Sequence, residues 1–290
     1  MTLDLYSYRF LLRARGPIQF PAWGPANLLR GAFGSALRKI ACAPDCPGLA
    51  GRRARECSRR STCAYARIFE PVCTDGPSGL ADPPRPFVFR VSHLAGRSVA
   101  PGEDFCFDVN FFDPRRPALD EFGAAFAQLA RAEVVSSSCE PISICLDKCG
   151  RGANRLRVEF RTPAELKSAK NGNALAARPE FAVLFARARD RVSTLRALYG
   201  PGPLDIDFRA LGRRARAIKM TRCELRRVKQ ERRSRRTGQV HRTGGFTGVA
   251  EYEGDLAEFL PILEAARWTG VGRHCVWGNG EILPRVILDA

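Results

Sequence analysis

The chain lacks several features that would assign it quickly. No apolar run reaches the roughly 18 residues of a membrane span. Met1 to Leu12 mixes Asp4, Tyr6, Tyr8 and Arg9 with aliphatics, which reads as an alternating strand and not as a secretory signal; the expected location is cytoplasmic, with no membrane partner. No GxGxxG run opens a helix and no glycine-rich run ends in Gly-Lys-Ser/Thr, which excludes the dinucleotide fingerprint and the P-loop. Histidine is scarce, at positions 93, 241 and 274 only. Acidic residues are few, 30 against 47 lysines and arginines in 290 residues, leaving a formal charge of +17.

That excess points to a polyanionic partner. Most of it is arginine, which suits bidentate phosphate contacts and stacking on bases. Hydrophobic content of 45% supports a packed core, and the length fits one large domain or two modest ones. Eleven cysteines is an odd number, which argues against a complete set of internal disulfides.

The first strand is expected over residues 3–15 and a helix over about 26–41, with Asn27 as a candidate cap. Gly31 and Gly34 narrow one side of that helix for a close neighbour, while Arg30 and Arg38 share another side. Cys42, Cys46, Cys57 and Cys63 follow in the pattern C-x3-C-x10-C-x5-C. Four thiolates suit a closed structural zinc site, which can pin a loop that has no core. The spacing is not a repeated C-x2-C pair, so a redox or iron–sulfur site and unliganded thiols stay open. Strands are expected over 86–91 and 105–111, where Phe105, Phe107, Val109 and Phe111 alternate, and a helix over 119–132. Strand, helix, strand, strand, helix and a following strand make the ferredoxin-like order.

A second unit is expected from about residue 136. It holds strands near 142–146 and 156–160, the latter ended by Thr162-Pro163, and a long helix over 180–198. Between 213 and 242 lie thirteen cations against Glu224 and Glu231, a local excess of +11. They are Arg213, Arg214, Arg216, Lys219, Arg222, Arg226, Arg227, Lys229, Arg232, Arg233, Arg235, Arg236 and Arg242. A long basic hairpin over about 213–252 is the economical reading, and a basic loop without fixed structure is the other; either favours nucleic acid electrostatically. Asp255 and Glu258 form a capping-box pattern for the last helix. That helix leads into a loop over 268–281 with Gly270, Gly272, Gly278 and Gly280, a run that suits unusual backbone angles and close approach.

Thr269-Gly270-Val271-Gly272, then Gly278-Asn279-Gly280, resembles the glycine-rich signature of the repeat-associated RNA-binding proteins of CRISPR systems, and most closely that of the Cas6 family. Gly245-Phe246-Thr247-Gly248, Leu29-Arg30-Gly31-Ala32-Phe33-Gly34, Cys63-Ala64-Tyr65 and Phe69-Glu70-Pro71 extend the likeness along the chain. The resemblance implies an α+β fold of two ferredoxin-like (RRM-like) domains in tandem, 1–135 with a Cys-rich insertion at about 42–73, and 136–290. It implies CRISPR repeat RNA as partner, with other Cas effector subunits as further candidates. The implied reaction needs no metal: the ribose 2′-OH attacks the adjacent phosphate and leaves a 2′,3′-cyclic phosphate. Such a reaction needs a base, an acid and positive charge.

The histidine that the family commonly carries in or before the first helix is missing from residues 16–41. His241, with Arg242, is therefore the leading catalytic candidate, and Arg30 and Arg38 belong to a histidine-free alternative. Arg273 and His274 are expected at RNA or at an interface, and His93 in a structural role. The other functional reading is a noncatalytic subunit that binds and retains the repeat. A DNA-binding protein using the cysteine loop as a zinc module is disfavoured, because no finger helix follows the cysteines.

Overall fold

The structure, a computed structural model, describes residues 1–42, 46, 54–72, 83–147, 152–167, 178–233, 240–242 and 244–287, with backbone alone at 55, 231–233 and 240–242. The chain divides into two compact units. One comprises Asp4–Ile142 with Ala197–Pro201; the other comprises Met1–Leu3, Ser143–Arg196 and Gly202–Ala290.

The first unit contains β1 (Thr2–Ala14), β2 (Ile18–Gln19), α1 (Pro25–Ala41), α2 (Ala64–Ile68), β3 (Phe87–Arg90), β4 (Ser98–Val99), β5 (Asp104–Phe111), α3 (Leu119–Ala127) and β6 (Ala132–Cys145). The sheet order is β3-β5-β1-β6, with β1 antiparallel to β5. β5 buries Phe105, Phe107, Val109 and Phe111, so its alternation has the period that a sheet with one covered face requires. α1 and α3 cover that face. Phe33 stacks on Phe122 with ring centroids 4.1 Å apart, and Phe126 packs edge-on against Phe10 and Phe107. Gly34 lets α1 approach α2, because a Cβ there would lie 2.2 Å from the Phe69 ring; Gly31 has nothing within 4 Å and admits no such neighbour. α3 is shorter than its pattern suggests. It ends at Ala127 because the chain must turn and enter β6 at Ala132. The apolar residues near 134–144 belong to that one strand, the fourth of this sheet.

The second unit contains β7 (Arg155–Ala164), α4 (Phe181–Tyr199), α5 (Phe208–Ala215), β8 (Lys219–Val228), β9 (Glu231–Arg233), β10 (Val240–Arg242), β11 (Gly245–Glu253), α6 (Leu260–Thr269) and β12 (Ile282–Val286). The sheet order is β12-β7-β11-β8. Phe181, Phe185, Phe259 and Tyr252 form its aromatic core. β7 runs through Thr162-Pro163 to Ala164 instead of stopping there. Pro163 falls beyond β12's pairing, which begins at Ile282 opposite Phe160, so no ladder bond from its nitrogen is lost. The expected Asp255 cap is not used: α6 starts at Leu260 with Phe259 before it and no side-chain cap. Pro261 lies in the first turn, where its missing N–H costs nothing. Glu258 pairs with Arg214 instead.

The expected turn at 171–173 lies outside the described residues. No helix among the described residues is long and apolar enough to cross a membrane.

Candidate nucleic-acid interface

The glycine loop is folded onto the end of β7. The Val271 N–H donates to Gly280 O (2.9 Å), the Gly280 N–H to Pro163 O (3.0 Å) and the Arg273 N–H to Glu165 O (3.0 Å). The Glu281 N–H donates to Thr162 Oγ1 (2.9 Å). Gly270, Gly272, Gly278 and Gly280 have φ of 76°, 82°, 86° and 72°. At Gly280 a Cβ would lie 2.0 Å from Val271 O, and at Gly272 2.4 Å from Glu165 O. The close approach that these glycines permit is to the loop's own unit.

Glu165 is the residue on which the loop's polar side chains converge. It is buried, Arg273 forms an ion pair with it, and His274 Nε2 stands 3.9 Å from its carboxylate. His274 has a left-handed backbone (φ 63°), and its ring stacks on Trp277 at 4.5 Å. Neither Glu165 nor Trp277 is marked by its sequence neighbourhood. A single carboxylate after a strand has no periodicity, and its partners lie more than a hundred residues away.

The register of the sheet connects this loop to the basic segment. Ala164 on β7 pairs with Phe246 on β11, and Phe246 pairs with Arg227 on β8. The loop's attachment point and the Arg226–Lys229 end of β8 therefore share one end of the sheet. β9 and β10 continue from that end as a two-stranded extension, with His241 opposite Arg232 and Arg242 opposite Glu231. The side chains of His241, Arg242, Arg232 and Arg233 lie outside the described residues, as do Arg235 and Arg236 entirely.

The cations of this segment are not equivalent. Arg213 and Arg214 lie on α5 and Arg216 just after it, not on the hairpin, which begins at Lys219. The helix forms because the Asp207 carboxylate accepts from the N–H groups of Arg209 and Ala210, both at 2.9 Å. Those bonds, Ala210's first, hold the Asp207 carboxyl below its ordinary pKa. Arg214 pairs with Glu258 (2.6 Å), and Arg222 bridges Glu224 (2.7 Å) and Glu251 (3.3 Å). Arg226 donates to Thr247 Oγ1 at 3.3 Å. Arg216, Lys219, Arg227 and Lys229 are exposed and have no ion-pair partner among the described residues.

A family model described as CRISPR-associated endoribonuclease Cas6 matches residues 158–282, and a second, described as an N-terminal domain, matches residues 3–166. Over residues 158–282 the chain belongs to the Cas6 family. No curated protein matches it. Among solved structures, Cas6 (TTHB231) of Thermus thermophilus is 14% identical over 98% of this chain and 99% of that one, with a TM-score of 0.54. A Cas6 (TTHB231) product complex is 15% identical over 97% and 100%, with a TM-score of 0.60. A chain of a partial Cas6-RT-Cas1–Cas2 complex is 12% identical, covered over 98% of this chain and 46% of that one, with a TM-score of 0.57. At such identities the likeness is one of fold.

In the first unit Arg30 and Arg38 meet aromatic rings. Arg30 is buried with its guanidinium 4.6 Å from the Phe69 centroid, and Arg38 lies 5.9 Å from that of Tyr65. Both contacts hold α2 against α1. His93 Nε2 lies 2.9 Å from Cys106 O. Cys46 and Cys57 are buried with Sγ atoms 3.6 Å apart. Burial, followed by a hydrogen bond with Cys46, pushes the Cys42 thiol up to about 11. No group of three or more His, Cys, Asp or Glu side chains among the described residues is set to hold a metal ion.

Proposed function

We propose that this chain, built as two ferredoxin-like domains, binds CRISPR repeat RNA and cuts its precursor without a catalytic metal. The strand orders support the domain reading, since both units run strand–helix–strand–strand–helix–strand with the first and third strands at the sheet centre. The observation that carries the functional reading is the shared end of the second sheet. There, Arg227 and Lys229 stand without ion-pair partners among the described residues, next to the attachment of the glycine loop, and the β9–β10 extension begins. A phosphate backbone is the partner such a cation group would neutralise.

In the proposed reaction the ribose 2′-OH loses its proton as its oxygen bonds to the adjacent phosphorus. The bond to the 5′-oxygen breaks, and that oxygen takes a proton. The products are a 2′,3′-cyclic phosphate and a 5′-hydroxyl. His241 is assigned one of the two proton transfers, and Arg242 the charge that develops on the phosphorane. Arg30 and Arg38, engaged with the Phe69 and Tyr65 rings, are left out of this assignment.

The test is incubation with a repeat-containing transcript in excess EDTA, beside a transcript carrying one 2′-deoxyribose at the cut site. Discrete cuts ending in cyclic phosphate, absent from the deoxy substrate, are expected. His241→Ala should slow single-turnover cleavage by about 100-fold or more while leaving binding intact. Tight binding with no cleavage would replace this reading by that of a repeat-retaining subunit.

A further inference from the structure

Four of the cysteines lie between the last turn of α1 and the start of α2. Cys42 directly follows α1, its N–H donating to Arg38 O at 3.1 Å, and Cys63 directly precedes α2. Cys57 ends a short turn in which its N–H donates to Ala54 O at 3.0 Å. Residues 58–62 are all exposed, yet Cys46 and Cys57 are 7% and 6% exposed. The Cys42 thiol hydrogen-bonds with Cys46 and lies within electrostatic reach of Cys63. The four sulfurs thus form one neighbourhood drawn from a 22-residue span.

The Cys46–Cys57 separation of 3.6 Å is far from the roughly 2.05 Å of a disulfide. It is close to the roughly 3.8 Å between two thiolates each about 2.3 Å from a tetrahedral zinc ion. Two buried sulfurs thus stand at ligand spacing, and an ion between them would draw in the part-exposed Cys42 and Cys63 as the thiols lose their protons.

We propose that Cys42, Cys46, Cys57 and Cys63 hold one structural zinc ion that clamps the end of α1 to the start of α2. Four sulfur ligands fill a tetrahedral shell and leave no position for substrate, so the ion has no part in RNA chemistry. Its effect is mechanical. α2 and its following residue carry Tyr65 and Phe69, the rings beneath Arg38 and Arg30, and Phe69 fills the notch at Gly34. Clamping α2 holds those rings over α1.

The test is metal analysis of the full chain purified without chelator from zinc-supplemented cells. About one zinc ion per chain is expected, released stoichiometrically as a mercurial titrates four thiols. Cys42→Ser and Cys57→Ser should each lose the zinc and lower the melting temperature, while Cys139→Ser, a change at an exposed thiol, leaves both unchanged. If the serine variants fail to fold, the mercurial titration of the unaltered chain decides. Zinc-free protein whose four thiols react freely with Ellman's reagent, a Cys46–Cys57 disulfide, or iron with labile sulfide would each overturn the proposal.

Discussion

Gly280 and Gly31 show how differently one residue type can act in one chain. Gly280 has φ 72° and faces Val271 O at 2.0 Å from where a Cβ would sit; Gly31 lies in α1, exposed, with nothing within 4 Å. Gly280→Ala should therefore cost at least 1–3 kcal/mol, roughly the strain of a left-handed non-glycine backbone, before the clash with backbone is counted. Gly272→Ala should behave alike, because its Cβ would meet Glu165 O at 2.4 Å. Gly31→Ala should stabilise the chain by roughly 0.5–1 kcal/mol, the helical advantage of alanine. Urea unfolding monitored by circular dichroism checks all three, and an unaffected Gly280→Ala would mean that the loop is not held on β7. The spacing 270, 272, 278, 280 was enough to announce unusual backbone angles. It could not announce what the backbone approaches, because Pro163 and Glu165 are a hundred residues away and have no pattern of their own.

At the scale of elements, the segment from 213 to 242 was legible as charge and only partly as structure. Period-two burial exposes a strand such as β5 to sequence reading, since one face is covered and the other is not. β8 is an edge strand with a mostly solvated surface, so its pattern is faint, and it starts at Lys219, six residues after the expected beginning of the hairpin. The sequence does not mark α5, because Asp207 is a cap only in combination with the short apolar stripe after it. Which cations are already paired could not be read at all, since Glu251 and Glu258 lie beyond the segment.

The pairing makes a binding prediction. Each phosphate contact on single-stranded nucleic acid contributes about −0.7 to the slope of log K against log salt. Arg227→Ala with Lys229→Ala should weaken repeat-RNA binding and flatten that slope by up to about 1.4 units, two contacts' worth. Arg214→Ala, which removes a side chain bonded to Glu258 at 2.6 Å, should leave the slope nearly unchanged. Filter binding over a salt series separates the two. Equal slopes for both variants would mean that the shared end of the sheet does not carry the RNA backbone.

For the whole molecule, the order of strands and helices was legible and the membership of the units was not. Contiguous sequence suggests two halves, yet each unit is completed by a short piece from far away: Met1–Leu3 joins the second, and Ala197–Pro201 the first. The reason lies in individual contacts. The Tyr199 hydroxyl donates to Pro84 O at 2.6 Å, and Arg115 donates to Leu198 O at 3.3 Å, so the last turn of α4 serves the first unit. The Leu146 N–H donates to Met1 O at 2.9 Å, so the start of β1 serves the second. A chain divided after residue 142 deprives both fragments of these bonds. Each fragment should then unfold at lower denaturant than the corresponding transition of the intact chain. Tyr199→Phe in the intact chain should reproduce part of the first fragment's loss, about 1 kcal/mol for one hydrogen bond with a part-buried carbonyl left behind. Denaturant melts of the intact chain, the variant and both fragments test this. A 1–142 fragment as stable as the first unit in the intact chain would show that Ala197–Pro201 contributes nothing to it.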